Sequence, residues 1–257
     1  MPSNDMNIKG SDRTISLWYD APLQSNTEPP CYQGYATVQV GRKLYRHGGH
    51  DFVGGELGPS IDQLWELDID QRKWTLLKTK CSGGKDGNSP GPRSFHTMFH
   101  YKGDLYVWGG MNKHNRMNIQ NTFDSKLYRL KNGVASESTS KGEGRVWELV
   151  KTSSQRPPGR EEHAGVLYKG KYYITGGQLS SKQTTNDTWA LDLGSFKWKA
   201  LKNGPIERHL HQMWASNDKL YVLGGRTKVF ERKVGGATEL SNPSIEEFVT
   251  YDIVSKT

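Results

Sequence analysis

The chain has 257 residues, 33% of them hydrophobic, with 29 glycines and a net charge of +8 at neutral pH. Glycine costs about 1 kcal/mol at each helix-interior site, so this composition excludes a helical bundle and suits many short strands joined by tight turns. Two cysteines, Cys31 and Cys81, make neither a disulfide framework nor a CxxC zinc motif, and no apolar run reaches membrane-spanning length.

In chain order, residues 1–14 read as a polar tail without the apolar stretch of a signal peptide. Ile15-Ser16-Leu17-Trp18-Tyr19 reads as a strand, and Pro29-Pro30 follow it. From Cys31 onward a unit recurs four times, which makes periodicity the leading signal. Its ruler is a glycine pair: Gly48-Gly49, Gly109-Gly110, Gly176-Gly177 and Gly224-Gly225. Three positions before each pair stands a tyrosine: Tyr45, Tyr106, Tyr173 or Tyr221. Thirteen positions before stand Tyr35, His96, His163 and His211, and sixteen before stand Tyr32, Arg93, Arg160 and Arg208. Three units therefore share Arg-x-x-His, and the first carries tyrosines instead.

Within each unit, two apolar-rich runs flank a Gly, Asn or Asp turn, as residues 96–101 and 104–108 do around Lys102-Gly103-Asp104. That pattern predicts a β-hairpin ended by the glycine pair. A polar segment of variable length follows (50–61, 111–125, 226–245), predicted to be loop. A third strand comes next, with large residues alternating with polar ones, as in Leu64-Trp65-Glu66-Leu67-Asp68 and Thr188-Trp189-Ala190-Leu191-Asp192. Trp74, Trp147 and Trp198 open a fourth strand, and a Pro/Gly segment leads to the next arginine. Residues 131–146 form a Ser/Gly-rich insertion.

Four strands in succession make one propeller blade. The hairpin, Gly-Gly, aromatic third strand, tryptophan-led fourth strand and proline-to-arginine link together resemble the kelch repeat, over residues 31–257. The resemblance implies an all-β, kelch-type propeller with four recognisable four-stranded blades near 31–80, 92–152, 159–203 and 207–257. The structural residues of the blades are Gly48, Gly49, Gly109, Gly110, Gly176, Gly177, Gly224, Gly225, Trp74, Trp147 and Trp198. Kelch rings of five to seven blades exceed this number. Two arrangements therefore stay open: residues 15–19 pair with 246–253 and close a small ring, or the chain is a partial ring with open edges.

For function, the resemblance implies a non-enzymatic protein-interaction module, a scaffold or substrate adaptor. Arginines at the repeated position contact acidic peptides in related adaptors, so Arg93, Arg160 and Arg208, with Tyr32, are the expected partner-binding residues. Guanidinium groups suit bidentate binding of carboxylates. The competing expectation is that these arginines pair with blade acids such as Asp68, Asp192 and Asp252, or with loop carbonyls. His96, His163 and His211 are expected to tie neighbouring blades by hydrogen bonds rather than to hold a metal. Glu161-Glu162 and Glu246-Glu247 are expected to point to opposite strand faces. No cofactor, metal or catalytic residue is expected. The expected partner is another protein, engaged through an acidic segment, in a cytoplasmic or nuclear setting, with neither a membrane nor a nucleic acid. The alternative is a small-molecule enzyme using the axial pocket.

Overall fold

A computed structural model describes residues 22–24, 27–53, 56–84, 86–112, 122–134, 144–180, 183–227, 230–234, 237–241 and 244–254. The first blade comprises β1 (Ala36–Val40), β2 (Lys43–His47), a side hairpin β3 (His50–Val53) and β4 (Glu56–Ser60), then β5 (Leu64–Asp68) and β6 (Lys73–Leu77). A short strand β7 (Thr79–Cys81) follows. The second blade has β8 (Thr97–Tyr101), β9 (Asp104–Trp108), β10 (Met111–Asn112), β11 (Thr122–Phe123), β12 (Leu127–Lys131) and β13 (Arg145–Val150). The third has β14 (Ala164–Tyr168), β15 (Lys171–Thr175), β16 (Gln178–Ser180), β17 (Gln183–Thr184), β18 (Thr188–Asp192) and β19 (Lys197–Ala200). The fourth has β20 (Gln212–Ser216), β21 (Lys219–Leu223), β22 (Phe230–Val234), β23 (Ala237–Ser241) and β24 (Phe248–Asp252).

The main sheets run β1-β2-β5-β6, β7-β13-β12-β9-β8, β14-β15-β18-β19 and β20-β21-β24. Each is antiparallel except where β7 joins β13 in parallel, so the chain leaving the first blade extends the second. The segments predicted to be loops after the glycine pairs each contain a second hairpin: β3–β4, β10–β11 and β22–β23, with β16–β17 in the third blade. β10, β11, β16 and β17 are only two or three residues long and β3–β4 carries a register shift, which is why a periodicity argument misses them, whereas β22–β23 is a regular five-residue pair. Most of the Ser/Gly-rich insertion and all of Ile15–Tyr19 lie outside the described residues.

Blades stack face to face through three apolar clusters. Ala36, Tyr45 and Leu64 meet Met98, Leu105 and Trp147 between the first and second blades. Phe99, Trp108 and Leu127 meet Tyr172, Ile174 and Trp198 between the second and third. Tyr173 and Ala190 meet Leu220, Met213 and Tyr251 between the third and fourth. The repeated tyrosine belongs to these interfaces: Tyr45, Tyr106 and Tyr173 are 0%, 3% and 3% exposed. Burial of such rings dominates the stability of a stacked-sheet core.

The inner strands pack in the order β1, β8, β14, β20, and among the described residues no comparable contact returns from β20 to β1. The described blades therefore form an open fan. The outer face of the fourth blade carries Trp214, stacked on Tyr221 at 5.5 Å, beside Phe248 and Leu223, and Phe248 is 55% exposed. At the other end, Tyr35 lies beneath the Arg46 guanidinium at 4.0 Å. Trp74 is half-buried, whereas Trp147 and Trp198, each pressed against a preceding blade, are buried.

Candidate functional site: the blade junctions, the axial mouth and the lysine-rimmed angle

The Arg-x-x-His segment of each blade docks into the glycine pair of the blade before it. Gly49 N–H donates to the Arg93 carbonyl at 2.9 Å, Gly110 to Arg160 at 2.8 Å and Gly177 to Arg208 at 2.8 Å. The first glycine of the pair has φ near +70° and lies against the incoming histidine. A Cβ on Gly48 would sit 2.5 Å from the Arg93 carbonyl oxygen, and one on Gly109 would sit 2.6 Å from the His163 ring. Only glycine satisfies both the left-handed backbone and this approach. The last pair differs: nothing lies nearer than 3.6 Å to a Cβ on Gly224.

The arginine side chains are internal struts. Arg93, Arg160 and Arg208 are 2%, 0% and 3% exposed. Each donates through Nη1 to the carbonyl of the first glycine in its own blade: Gly109 at 2.7 Å, Gly176 at 3.0 Å and Gly224 at 3.1 Å. Each also faces an acid that precedes the third strand. Arg93 lies 3.2 Å from Asp124, Arg160 grips both Asp187 oxygens, and Arg208 lies 3.6 Å from Glu247. An arginine-ringed mouth open to a partner is thus not what these side chains form. The competing expectation had the right kind of bond and the wrong acids. Asp68, Asp192 and Asp252 instead accept N–H groups in the turns that follow them. Tyr32, at the arginine position of the first blade, is half-buried, with its backbone N–H on the Pro30 carbonyl.

The histidines tie blades where partners are in reach. His96 Nε2 meets His47 Nδ1 at 3.0 Å, and His163 Nε2 meets the Thr97 hydroxyl at 2.8 Å, each across a blade boundary. Burial holds His47 and His211 neutral, with pKa lowered to about 3, and places His96 and His163 well below the ordinary imidazole range. Among the described residues no group of His, Cys, Asp or Glu has the geometry of a metal site.

The axial mouth is formed one and two positions beyond the arginines. Gly34, Phe95, Glu162 and Leu210 all have positive φ, between 55° and 67°. Their backbones form a spiral in which Phe95 donates to Gly34 at 2.6 Å, Glu162 to Phe95 at 3.0 Å and Leu210 to Glu162 at 3.0 Å. Left-handed backbone costs a non-glycine residue about 1–2 kcal/mol, and the inter-blade bonds hold it here. Next to this spiral Glu161 is buried, with Oε2 unbonded, and burial beside Glu162 raises its carboxyl to about 8. Glu162 itself pairs with His209 at 2.7 Å and accepts a hydrogen bond from Gln178 at 2.9 Å. Glu161 and Glu162, expected on opposite faces of a strand, precede β14 instead, and the sequence did not reveal the grouping of Glu162 with His209 and Gln178.

A second concave region lies in the angle between the third and fourth blades. It holds two cavities of about 240 and 300 Å³, both lined by Tyr251. Lys171, Lys197 and Lys199 rim one cavity and Lys202 the other, and all four are exposed. Lys197 and Lys199 point to this side because they alternate with Trp198, which is buried against the second blade.

Sheets of this kind, stacked by repeated glycine cradles around an axis, define a β-propeller-type module, in which loops and the axial mouth carry recognition on a rigid scaffold. The chain belongs to the kelch-repeat family: the profile of the KLHDC2/KLHL20/DRC7 Kelch-repeats domain matches residues 12–225. It is 29% identical over 218 residues to host cell factor 1 of Homo sapiens, covering 81% of this chain and 10% of that protein. It is 26% identical over 232 residues to Kelch domain-containing protein 3 of Rattus norvegicus, covering 88% of this chain and 56% of that one. The chain thus spans a small part of the first relative and just over half of the second. Among solved structures it is similar to that of YjhT, with a TM-score of 0.60 and 18% identity, over 76% of this chain and 59% of the other. That likeness bears on the fold alone.

Proposed function

We propose that this chain is a non-enzymatic protein-interaction module, serving as a scaffold or substrate adaptor, that binds an acidic segment of a partner protein. One observation carries the preference for acid: four exposed lysines rim an apolar angle between two rigid blades, on a chain whose net charge is +8. Such a surface attracts carboxylates over long range and offers apolar area at short range. The buried arginines support binding indirectly, by fixing the blades that present the lysines. Membership of the kelch-repeat family is consistent with a partner-binding role. The two free cysteines, Cys31 and Cys81, support a cytoplasmic or nuclear setting as part of the same proposal. The test is fluorescence anisotropy with a short Glu-rich peptide and its Gln-for-Glu counterpart. Saturable binding of the first that weakens with salt and is absent for the second is the expected result, and equal binding of both, or none, contradicts it.

A second reading, a small-molecule enzyme using the axial mouth, draws on Glu161 alone. A buried carboxyl raised to about 8 beside a Glu–His pair is the kind of group that moves protons near neutral pH. A thermal-shift screen of small molecules with hits that disappear in Glu161→Gln would favour it over the interaction reading.

A further inference from the structure

The position after the repeated arginine changes character from blade to blade. It is Ser94 in the second blade, Glu161 in the third and His209 in the fourth, and all three are buried. Each pairs through its backbone with the residue after a glycine pair: Ser94 with Met111, Glu161 with Gln178 and His209 with Arg226. Two of the three side chains have polar partners. The Ser94 hydroxyl lies 3.4 Å from that of Ser60, and His209 meets Glu162 and Gln178. Ser60 precedes Ile61, whose N–H donates to the Gly49 carbonyl, and the matching bond from Asp124 to Gly110 puts Phe123 in the place of Ser60 at the next junction. That place offers Ser94 a hydroxyl and offers Glu161 none.

Glu161 is 8% exposed, and its Oε2 accepts no hydrogen bond. The charge that acts on its carboxyl is that of Glu162, and among the described residues no cation acts on it. Glu162 Oε2 accepts from Gln178 and pairs with His209, so a single imidazole answers two carboxyl groups. The arginines nearest in the chain and in the fold are turned elsewhere: Arg160 holds Gly176 and Asp187, and Arg226 is exposed and joins His209 by backbone bonds. A buried acceptor without a donor is costly, and a ligand that donates to it recovers that cost.

We propose that Glu161 and Glu162 at the axial mouth bind a guanidinium group, presented by an arginine of a partner or by a small molecule. Glu161 supplies the unbonded Oε2, and Glu162, held by His209 and Gln178, supplies a fixed second carboxylate. A guanidinium offers paired N–H donors in one plane, which match carboxylates edge-on. It is more weakly hydrated than an ammonium, so it enters a nearly closed site at lower cost. In the empty site burial keeps a proton on Glu161 at neutral pH. A guanidinium does not give up its own proton, so its binding ionises Glu161 and releases the carboxyl proton to solvent. The site shares no residue with the lysine-rimmed angle and prefers the opposite charge, so it goes beyond the acidic-segment reading and does not depend on it.

The experiment titrates the full chain by calorimetry at pH 7, in two buffers of different ionisation enthalpy, with the peptide acetyl-Ala-Arg-Ala-amide, its citrulline counterpart and methylguanidinium. The wild type is expected to bind the arginine peptide saturably and to release about one proton per peptide. The citrulline peptide, which has the same shape without the charge, is expected to bind about tenfold more weakly or worse. Glu161→Gln is expected to weaken arginine binding to the same extent and to abolish the proton release, with its melting temperature at pH 5 unchanged. The combined lysine-to-glutamate variant at 171, 197, 199 and 202 is expected to bind the arginine peptide as the wild type does, which separates this site from the acidic-segment reading. Tighter binding of the peptide than of methylguanidinium assigns the site to a partner's arginine, and equal binding assigns it to small guanidinium compounds; either sustains the proposal. Binding that Glu161→Gln leaves unchanged, equal binding of the citrulline peptide, or no binding at all overturns it. If the wild type is silent and a Lys113→Ala, Arg116→Ala variant binds the peptide, the carboxylates serve the chain's own cations and the proposal fails.

Discussion

The Gly110 amide donates to the Arg160 carbonyl across a blade boundary at 2.8 Å, while the Arg160 side chain reaches forward to the Gly176 carbonyl and to Asp187. One residue thereby links the glycine pair behind it to the glycine pair of its own blade. The fixed spacing of arginine, histidine and glycine is the imprint of this linkage, repeated at three junctions.

Breaking the linkage is predicted to cost stability. Arg160→Ala leaves Asp187 and the Gly176 carbonyl without their buried donor. The loss of one partner from a buried, hydrogen-bonded pair is about 3–5 kcal/mol. Arg208 faces Glu247 at 3.6 Å, and Glu247 is more than half exposed, so Arg208→Ala is predicted to cost less. Urea denaturation monitored by tryptophan fluorescence gives the order. A larger loss for Arg208 than for Arg160 would contradict the strut assignment.

The two kinds of glycine cradle predict a second ordering. Gly176 and Gly224 both have positive φ, 63° and 67°, so alanine at either site carries backbone strain of about 1–2 kcal/mol. At Gly176 the new Cβ would also lie 2.7 Å from the His211 ring, whereas at Gly224 the space is open. Overpacking adds about 1–3 kcal/mol. Gly176→Ala is predicted to lower the melting temperature clearly more than Gly224→Ala, and equal effects would show that the fourth cradle is filled in solution.

The buried histidines and Glu161 predict opposite pH responses. The histidines have folded pKa values far below the ordinary 6.5, so their neutral, buried state contributes fully above about pH 6.5. That stability is lost as pH falls toward 3, because the unfolded chain binds protons that the folded chain refuses. Glu161 works the other way. Its carboxyl, ordinarily near 4.5, is raised to about 8, so stability declines as pH rises from about 4.5 through 8. Glu161→Gln is predicted to leave the melting temperature nearly unchanged at pH 5 and to raise it at pH 8.5. The same shift at both values would contradict the buried, protonated carboxyl.

The blades were legible in the sequence because four copies of one unit fix the register of strands even where each copy alone is ambiguous. The first three glycine pairs, Tyr45, Tyr106 and Tyr173, and Trp147 and Trp198 fall into blade-to-blade interfaces for that reason. The fate of the arginines was not legible. Their acids sit at unequal offsets, with Asp187 and Glu247 immediately before their strands and Asp124 three residues before Leu127, so spacing could not reveal the pairs. Exposure is a property of the assembled junction, and a residue such as Arg160 is buried by its neighbouring blade, not by its own strand. The lysine-rimmed angle was hidden for a related reason: Lys171, Lys197, Lys199 and Lys202 are brought beside Tyr251 only by the packing of two blades.

The most direct measurement titrates a short Glu-rich peptide into three proteins: the wild type, Arg93→Met, and the combined Lys171→Glu, Lys197→Glu, Lys199→Glu, Lys202→Glu variant, each confirmed as folded by its melting curve. If lysines bind and arginines only hold the blades, Arg93→Met retains wild-type affinity and the lysine variant loses about tenfold or more. Loss of binding in a folded Arg93→Met, with the lysine variant unaffected, would return the site to the arginines and contradict the account.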